Sequence, residues 1–132
     1  MTKKQKIERK KLKFKNHNLY LMVSSYLNGR LAILCENKNE PYCDITVNLA
    51  DVPLMDDSYG FIDELAKDCG LEKALIDNKI ISHVLHTVQY NYGRYDLVQF
   101  NLEKLKEYDP LGFSAFEELG VEEIAKDFKI WV

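Results

Sequence analysis

Asn28-Gly29 stands between two runs of alternating apolar residues, and it restricts the fold of this chain more than any other feature. Leu19, Leu21 and Val23 alternate with Tyr20, Met22 and Ser24 before the pair, and Leu31-Ala32-Ile33-Leu34-Cys35 follows it. A type I′ turn needs φ > 0 at both central residues, which Asn and Gly tolerate, so the pair predicts a β-hairpin. After a polar break that ends at Pro41, Tyr42 to Leu49 reads as a third strand, with Cys43, Ile45, Val47 and Leu49 on one face. Short links between consecutive strands imply an antiparallel meander.

The rest of the chain mixes helix and strand. Residues 50–58 form a loop holding Pro53 and the pair Asp56-Asp57. Ser58 is a candidate N-cap for a helix in which Phe61, Ile62, Leu65, Ala66 and Cys69 recur at helical spacing. Gly70 ends it, and Leu71 to Asp77 adds a further turn. Ile80 to Tyr90 is rich in β-formers, Gly93 breaks the chain, and Tyr95 to Leu102 alternates as a last strand. A short helix over 102–107 stops at Asp109-Pro110. Phe116, Leu119, Val121, Ile124, Ala125 and Phe128 space a final amphipathic helix, interrupted by Gly120. The expected fold is α+β: an antiparallel sheet, built from an N-terminal three-strand meander and a later strand pair, covered by two or three helices. With 132 residues the chain suffices for one domain, expected over 16–132 behind a flexible basic tail over 1–15.

Charge divides along the same line. Residues 1–15 hold eight of the 18 basic side chains (Lys3, Lys4, Lys6, Arg9, Lys10, Lys11, Lys13 and Lys15) against Glu8 alone. That is a net +7. The other ten basic and 20 acidic residues give the body −10, so the overall −3 hides an acidic body with a basic start. No apolar run approaches the roughly 20 residues that a membrane helix needs, and no apolar segment of a secretory leader follows the basic start. A bacterial cytoplasmic protein with no membrane partner is expected. Cys35, Cys43 and Cys69 are odd in number and irregular in spacing, which predicts free thiols.

The motifs of common catalytic sites are absent from the sequence: no phosphate loop, no G-x-S-x-G, no H-E-x-x-H, no G-x-G-x-x-G. His83 and His86, three apart, are expected on opposite faces of a strand. On a helix, the other reading of Ser82 to Val88, they would share one face, but no third ligand is close in sequence and no metal site is expected. Asp63 and Glu64 suit the first turn of a helix without any catalytic role. No cofactor and no enzymatic activity are expected. Tyr90-Asn91-Tyr92-Gly93-Arg94-Tyr95 is different. Tyrosines and an arginine around a turn make an exposed tip of the residue types that dominate protein interfaces and stack on bases.

Ile45-Thr46-Val47-Asn48-Leu49, the helix opening Gly60-Phe61-Ile62-Asp63, and Gly93-Arg94-Tyr95-Asp96-Leu97-Val98-Gln99-Phe100 together resemble a family of uncharacterised small proteins carried on bacterial conjugative elements, plasmids and phages. The resemblance runs over about residues 19–102. It implies carriage on a mobile element and brings no catalytic residues with it.

These readings meet in one expectation. The chain is a non-catalytic accessory protein that binds another protein. In its sharpest form it inhibits a host nucleic-acid-targeting defence by presenting Asp56, Asp57, Glu117, Glu118, Glu122 and Glu123 to a basic groove, with Tyr90, Tyr92, Arg94 and Tyr95 as further contacts. The alternative is a weak nucleic-acid binder using Lys3, Lys4, Lys6, Arg9, Lys10, Lys11, Lys13 and Lys15 on phosphates. Exposed strand edges leave both a monomer and a homodimer open.

Overall fold

The computed structural model describes residues 9–38 and 40–118. It is an α+β fold of two antiparallel four-stranded sheets and four helices. The first sheet is a meander, β1 (Leu12–Phe14), β2 (His17–Ser25), β3 (Leu31–Asn37) and β4 (Glu40–Asp44), in that spatial order. The second contains β5 (Thr46–Val47), β6 (Tyr59–Ile62), β7 (Ile81–Tyr90) and β8 (Gly93–Phe100), ordered β5-β6-β8-β7. Helices α1 (Glu64–Asp68) and α2 (Leu71–Asp77) link β6 to β7, and α3 (Leu102–Tyr108) and α4 (Pro110–Glu118) close the described chain.

The meander starts earlier than the sequence suggested. Leu12 and Phe14 are buried and pair with Leu19 and His17, so residues 12–14 belong to the folded body and not to a tail. Alternation is the reason: Leu12 and Phe14 point inward while Lys11, Lys13 and Lys15 stay exposed. The I′ pattern occurs here, at Lys15 (φ 47) and Asn16 (φ 68). At Asn28-Gly29 only Gly29 takes positive φ, at 86°. Tyr26 accepts from the Gly29 N–H at 2.8 Å and donates to Arg30 at 2.9 Å, which is a three-residue loop ending in a glycine bulge. The hairpin was legible; its turn type was not.

The third strand breaks at Ile45, where the chain passes from one sheet to the other. Ile45 is fully buried, donates to the Ile33 carbonyl at 2.9 Å and accepts from the Asp63 N–H at 2.9 Å. Thr46 is buried beside it, its hydroxyl accepting from Ile33 N–H and bonded to the Tyr26 hydroxyl, both at 2.9 Å. One residue on each side of the crossing therefore stitches the two sheets together.

Phe61 and Ile62, expected in a helix, lie in strand β6. The N-cap is Asp63, whose carboxylate accepts from Leu65 N–H at 2.9 Å, so the helix begins only at Glu64. Ser58 is buried in the preceding turn on Asp56. Gly70, at φ 94°, separates the two short helices in a conformation that a side chain rarely adopts.

The core joins the inward faces of both sheets to the helices: Leu19, Leu21, Ile33 and Ile45 meet Leu71, Leu75, Val98, Phe100 and Leu105. Helices α3 and α4 are held to β2 by Asp109. Its carboxylate accepts from Val23 N–H at 2.8 Å and from Gly112 N–H at 3.2 Å, capping α4 and satisfying a strand edge together. Gly112 has no room for a Cβ, which would overlap the Asp109 carboxylate and the Val23 carbonyl oxygen.

Asp109→Ala removes the α4 cap and leaves the Val23 N–H without its acceptor. A loss of roughly 2–3 kcal/mol is expected, measured by chemical denaturation. Asp109→Asn keeps only one of the two acceptor oxygens and turns an NH2 toward the other N–H, so it should recover no more than about half of the loss.

Candidate protein-binding surface

One residue of the acidic loop, Asp51, is bonded to the tyrosine tip. The loop over 48–57 leaves β5 and returns as β6. Arg30, at the end of the β2–β3 hairpin, reaches into it: its guanidinium donates to the Leu49 carbonyl at 2.8 Å, the Val52 carbonyl at 2.6 Å and Asn48 Oδ1 at 3.4 Å. Three bonds from one planar fork fix a segment with little backbone pairing of its own. Beneath it Leu49 and Phe61 are buried, outside the main core cluster. The hairpin and the loop flank a cleft lined by Asn28, Arg30, Leu54, Asp56, Asp57 and Tyr59.

The loop is tied on its other side to the tip. The Tyr90 hydroxyl donates to Asp51 Oδ2 at 3.1 Å, and this bond to a carboxylate holds the phenol above its ordinary pKa. Asp56 accepts from the Ser58 hydroxyl at 2.7 Å and from Ser58 N–H at 2.9 Å, which hold its carboxyl below the usual range, so it is ionised at neutral pH. Asp57 and Met55 beside it are exposed.

The β7–β8 turn is tight, with Tyr90 opposite Gly93 and Asn91 at φ 54°. Tyr92 at its apex is fully solvent-exposed, with a relative accessibility of 105%. The Tyr95 ring lies over Gly93, where any Cβ would meet the phenol. Arg94 is exposed, and its N–H donates to Glu64 Oε2 at 3.0 Å, so the first acid of α1 also borders the tip. Asp51 and Glu64 thus border the tip that carries Tyr90, Tyr92 and Arg94, while Asp56 and Asp57 stand beside Ser58 in the cleft next to Arg30.

The remaining expected residues lie elsewhere or outside the described chain. Glu117 and Glu118 are exposed at the end of α4, which packs on β2. Glu122, Glu123, Lys3, Lys4 and Lys6 fall outside the described residues. Of the basic start, Arg9 donates to the Leu21 carbonyl and sits over the Tyr20 ring. Lys10 pairs with Glu107 at 3.1 Å and covers the Tyr108 ring. These two cations are spent on the protein itself, while Lys11, Lys13 and Lys15 are exposed along β1.

His83 and His86 share a face, not opposite ones. They stand opposite Gln99 and Leu97, two apart on β8, because the bulge at Leu85 offsets the count between them. Among the described residues no group of three potential ligands is placed to hold a metal ion. Burial pushes the Cys35 thiol up to about 12 and the Cys43 thiol up to about 11, so both stay protonated at neutral pH.

One cluster escaped sequence reasoning. Glu72 and Asp96 are buried side by side, 5% and 6% exposed. Burial, then the hydrogen bond to Asp96, pushes Glu72 up to about 7, so its carboxyl donates to the Asp96 carboxylate near neutrality. Burial works to raise Asp96 as well, but bonds from Glu72, Thr87 and Lys67 outweigh it and hold it below the usual value. Thr87 donates at 2.8 Å and Lys67 at 3.1 Å. The cluster ties α1 and α2 to β7 and β8. A glutamate at an amphipathic helix position reads as solvated, so no sequence signal marked it.

A model of a domain of unknown function, DUF4313, matches residues 20–119. The chain belongs to the DUF4313 family. That stretch runs from the second strand to the last described helix and contains every element of the surface above. No curated protein and no solved structure matches the chain.

Two outcomes follow from this geometry. Arg30→Ala frees the loop of its three bonds, so limited proteolysis within 50–57 should accelerate at least tenfold while the β7–β8 hairpin stays protected. Glu72→Gln keeps a donor to Asp96 without a titrating proton. In the native protein the folded pKa of Glu72 lies above its unfolded value, so its contribution is present below about pH 4.5 and lost as pH rises through about 7. That shift corresponds to at most about 3 kcal/mol. Denaturation from pH 5 to 8 should show the native protein weakening and the variant changing far less.

Proposed function

We propose that this DUF4313 protein is a non-catalytic accessory protein of a bacterial mobile element, acting in the cytoplasm by binding another protein. The observation that carries the reading is the double tether of the loop over 48–57, to Arg30 on one side and to Tyr90 on the other. A fixed surface loses little conformational entropy on association, and this one offers carboxylates around exposed tyrosine and arginine. In a chain whose body carries −10, the partner of best fit is a basic cleft, of the kind that nucleic-acid-targeting proteins use for phosphates. Resemblance to proteins of conjugative elements, plasmids and phages supports a host defence system as the target.

The test is affinity capture from a bacterial host lysate after nuclease treatment. The bait is the wild-type chain or a variant carrying Asp51→Asn, Asp56→Asn, Asp57→Asn and Glu64→Gln, changes that keep the acceptors of the loop and tip. The wild type should retain a protein partner, with capture falling as salt rises, and the variant should lose at least nine-tenths of it. Undiminished capture by the variant would make charge mimicry wrong. A second reading rests on the exposed Lys11, Lys13 and Lys15 in and beside β1. It predicts capture of nucleic acid that nuclease abolishes and that changing these three lysines to glutamine removes.

A further inference from the structure

Four strands end the two sheets, and three are blunted. β1 is three residues long and β5 two. β4 carries Glu40, Pro41 and Asp44. Where β2 extends past β1, Arg9 bonds the Leu21 carbonyl and Asp109 bonds the Val23 N–H. Short strands, charge, proline and side-chain cover are the ordinary means by which a sheet edge is kept from pairing with another chain.

Among the described residues β7 has none of these, only bulges confined to its first half. It is ten residues long, Ile-Ser-His-Val-Leu-His-Thr-Val-Gln-Tyr, without an acidic residue, lysine, arginine or proline, in a chain that is 30% charged. From Ser82 to Thr87 every residue is exposed, including Val84 at 45% and Leu85 at 40%. The described residues place no hydrogen bond on its outer backbone groups. Two bulges, at Ser82 and Leu85, disturb its first half, while His86 to Tyr90 pairs with β8 in unbroken register.

The register fixes which groups face out. Tyr90 and Gly93 close the two-residue turn, so 90, 88 and 86 bond to β8, and the N–H and C=O of Thr87 and Gln89 point away. We propose that a second copy of this chain pairs with this edge, antiparallel about a two-fold axis at Val88. Thr87 of one copy lies opposite Gln89 of the other. The argument for a second copy is charge and closure. Two bodies of equal negative charge approach with least repulsion along a strip without acidic residues, and β7 is such a strip. Two-fold pairing consumes both edges at once and leaves a continuous eight-stranded sheet whose remaining ends are the two-residue β5 strands. The inference is independent of the acidic loop and its partner.

Sedimentation equilibrium over a range of concentrations tests it on the full chain. The wild type should reach twice the chain mass of 15.4 kDa and go no further. Gln89→Pro removes one outward N–H and no bond to β8, and Leu85→Lys sets a charge on the exposed edge. Both should sediment as monomers, at least tenfold weaker in self-association, with wild-type circular dichroism. A wild type that stays monomeric at its solubility limit overturns the proposal. So does a mass that grows without limit, or a dimer unchanged in both variants.

Discussion

The Asp109 carboxylate does in this protein what a neighbouring strand does in a larger sheet. One oxygen accepts from the edge of β2 and the other caps the first turn of α4, so a single side chain closes an open ladder and seats the helix over the core. Arg9 supplies the complementary donor to the Leu21 carbonyl. Backbone groups at a sheet edge must be satisfied by something, and in two small sheets the edges are a large share of the whole. Much of the architecture follows from how each edge is met, and β7 is the edge that no described residue meets.

The same economy positions the acidic loop. Its segment has almost no ladder of its own, yet Arg30 gives it three bonds from the neighbouring hairpin and Tyr90 a fourth from the tip. The crossing at Ile45–Thr46 makes this arrangement available, because it sets the end of the first sheet's hairpin against the start of the second sheet. The buried Glu72–Asp96 pair then holds the helices over the opposite side of β8. Fold and surface are therefore not separable: the crossing at Ile45 and Thr46 joins the sheets and so brings Arg30 within reach of the loop.

How much of this was legible depends on whether the signal was local. The meander, the β7–β8 hairpin and the α+β class follow from alternation and turn residues, and the structure has them. Phe61 and Ile62 fit a helical spacing with Leu65, Ala66 and Cys69 by coincidence. The decisive residue was Asp63, whose carboxylate caps the helix after them. Residues 12–14 looked like part of a charged tail because three residues are too few to show a period, although Leu12 and Phe14 alternate with lysines. The bulges of β7 put His83 and His86 on one face against simple counting. Arg30 and Glu72 carried no local mark at all, since one acts on a loop 19 to 22 residues away and the other on β8, beyond the whole of β7. Of the expected contacts, Asp56 and Asp57 line the cleft beside Arg30; Tyr90, Tyr92 and Arg94 share the β7–β8 turn; and Glu117 and Glu118 stand on a separate helix.

The central claim is that this protein closes the β2 edge with its own side chains and leaves β7 for another chain. Amide hydrogen exchange resolved by residue, at low and high protein concentration, tests it most directly. The account predicts that Val23 exchanges slowly at both concentrations, and that Thr87 and Gln89 exchange fast when dilute and slowly when concentrated. A Val23 amide that exchanges as freely as an open edge, or Thr87 and Gln89 amides indifferent to concentration, would contradict it.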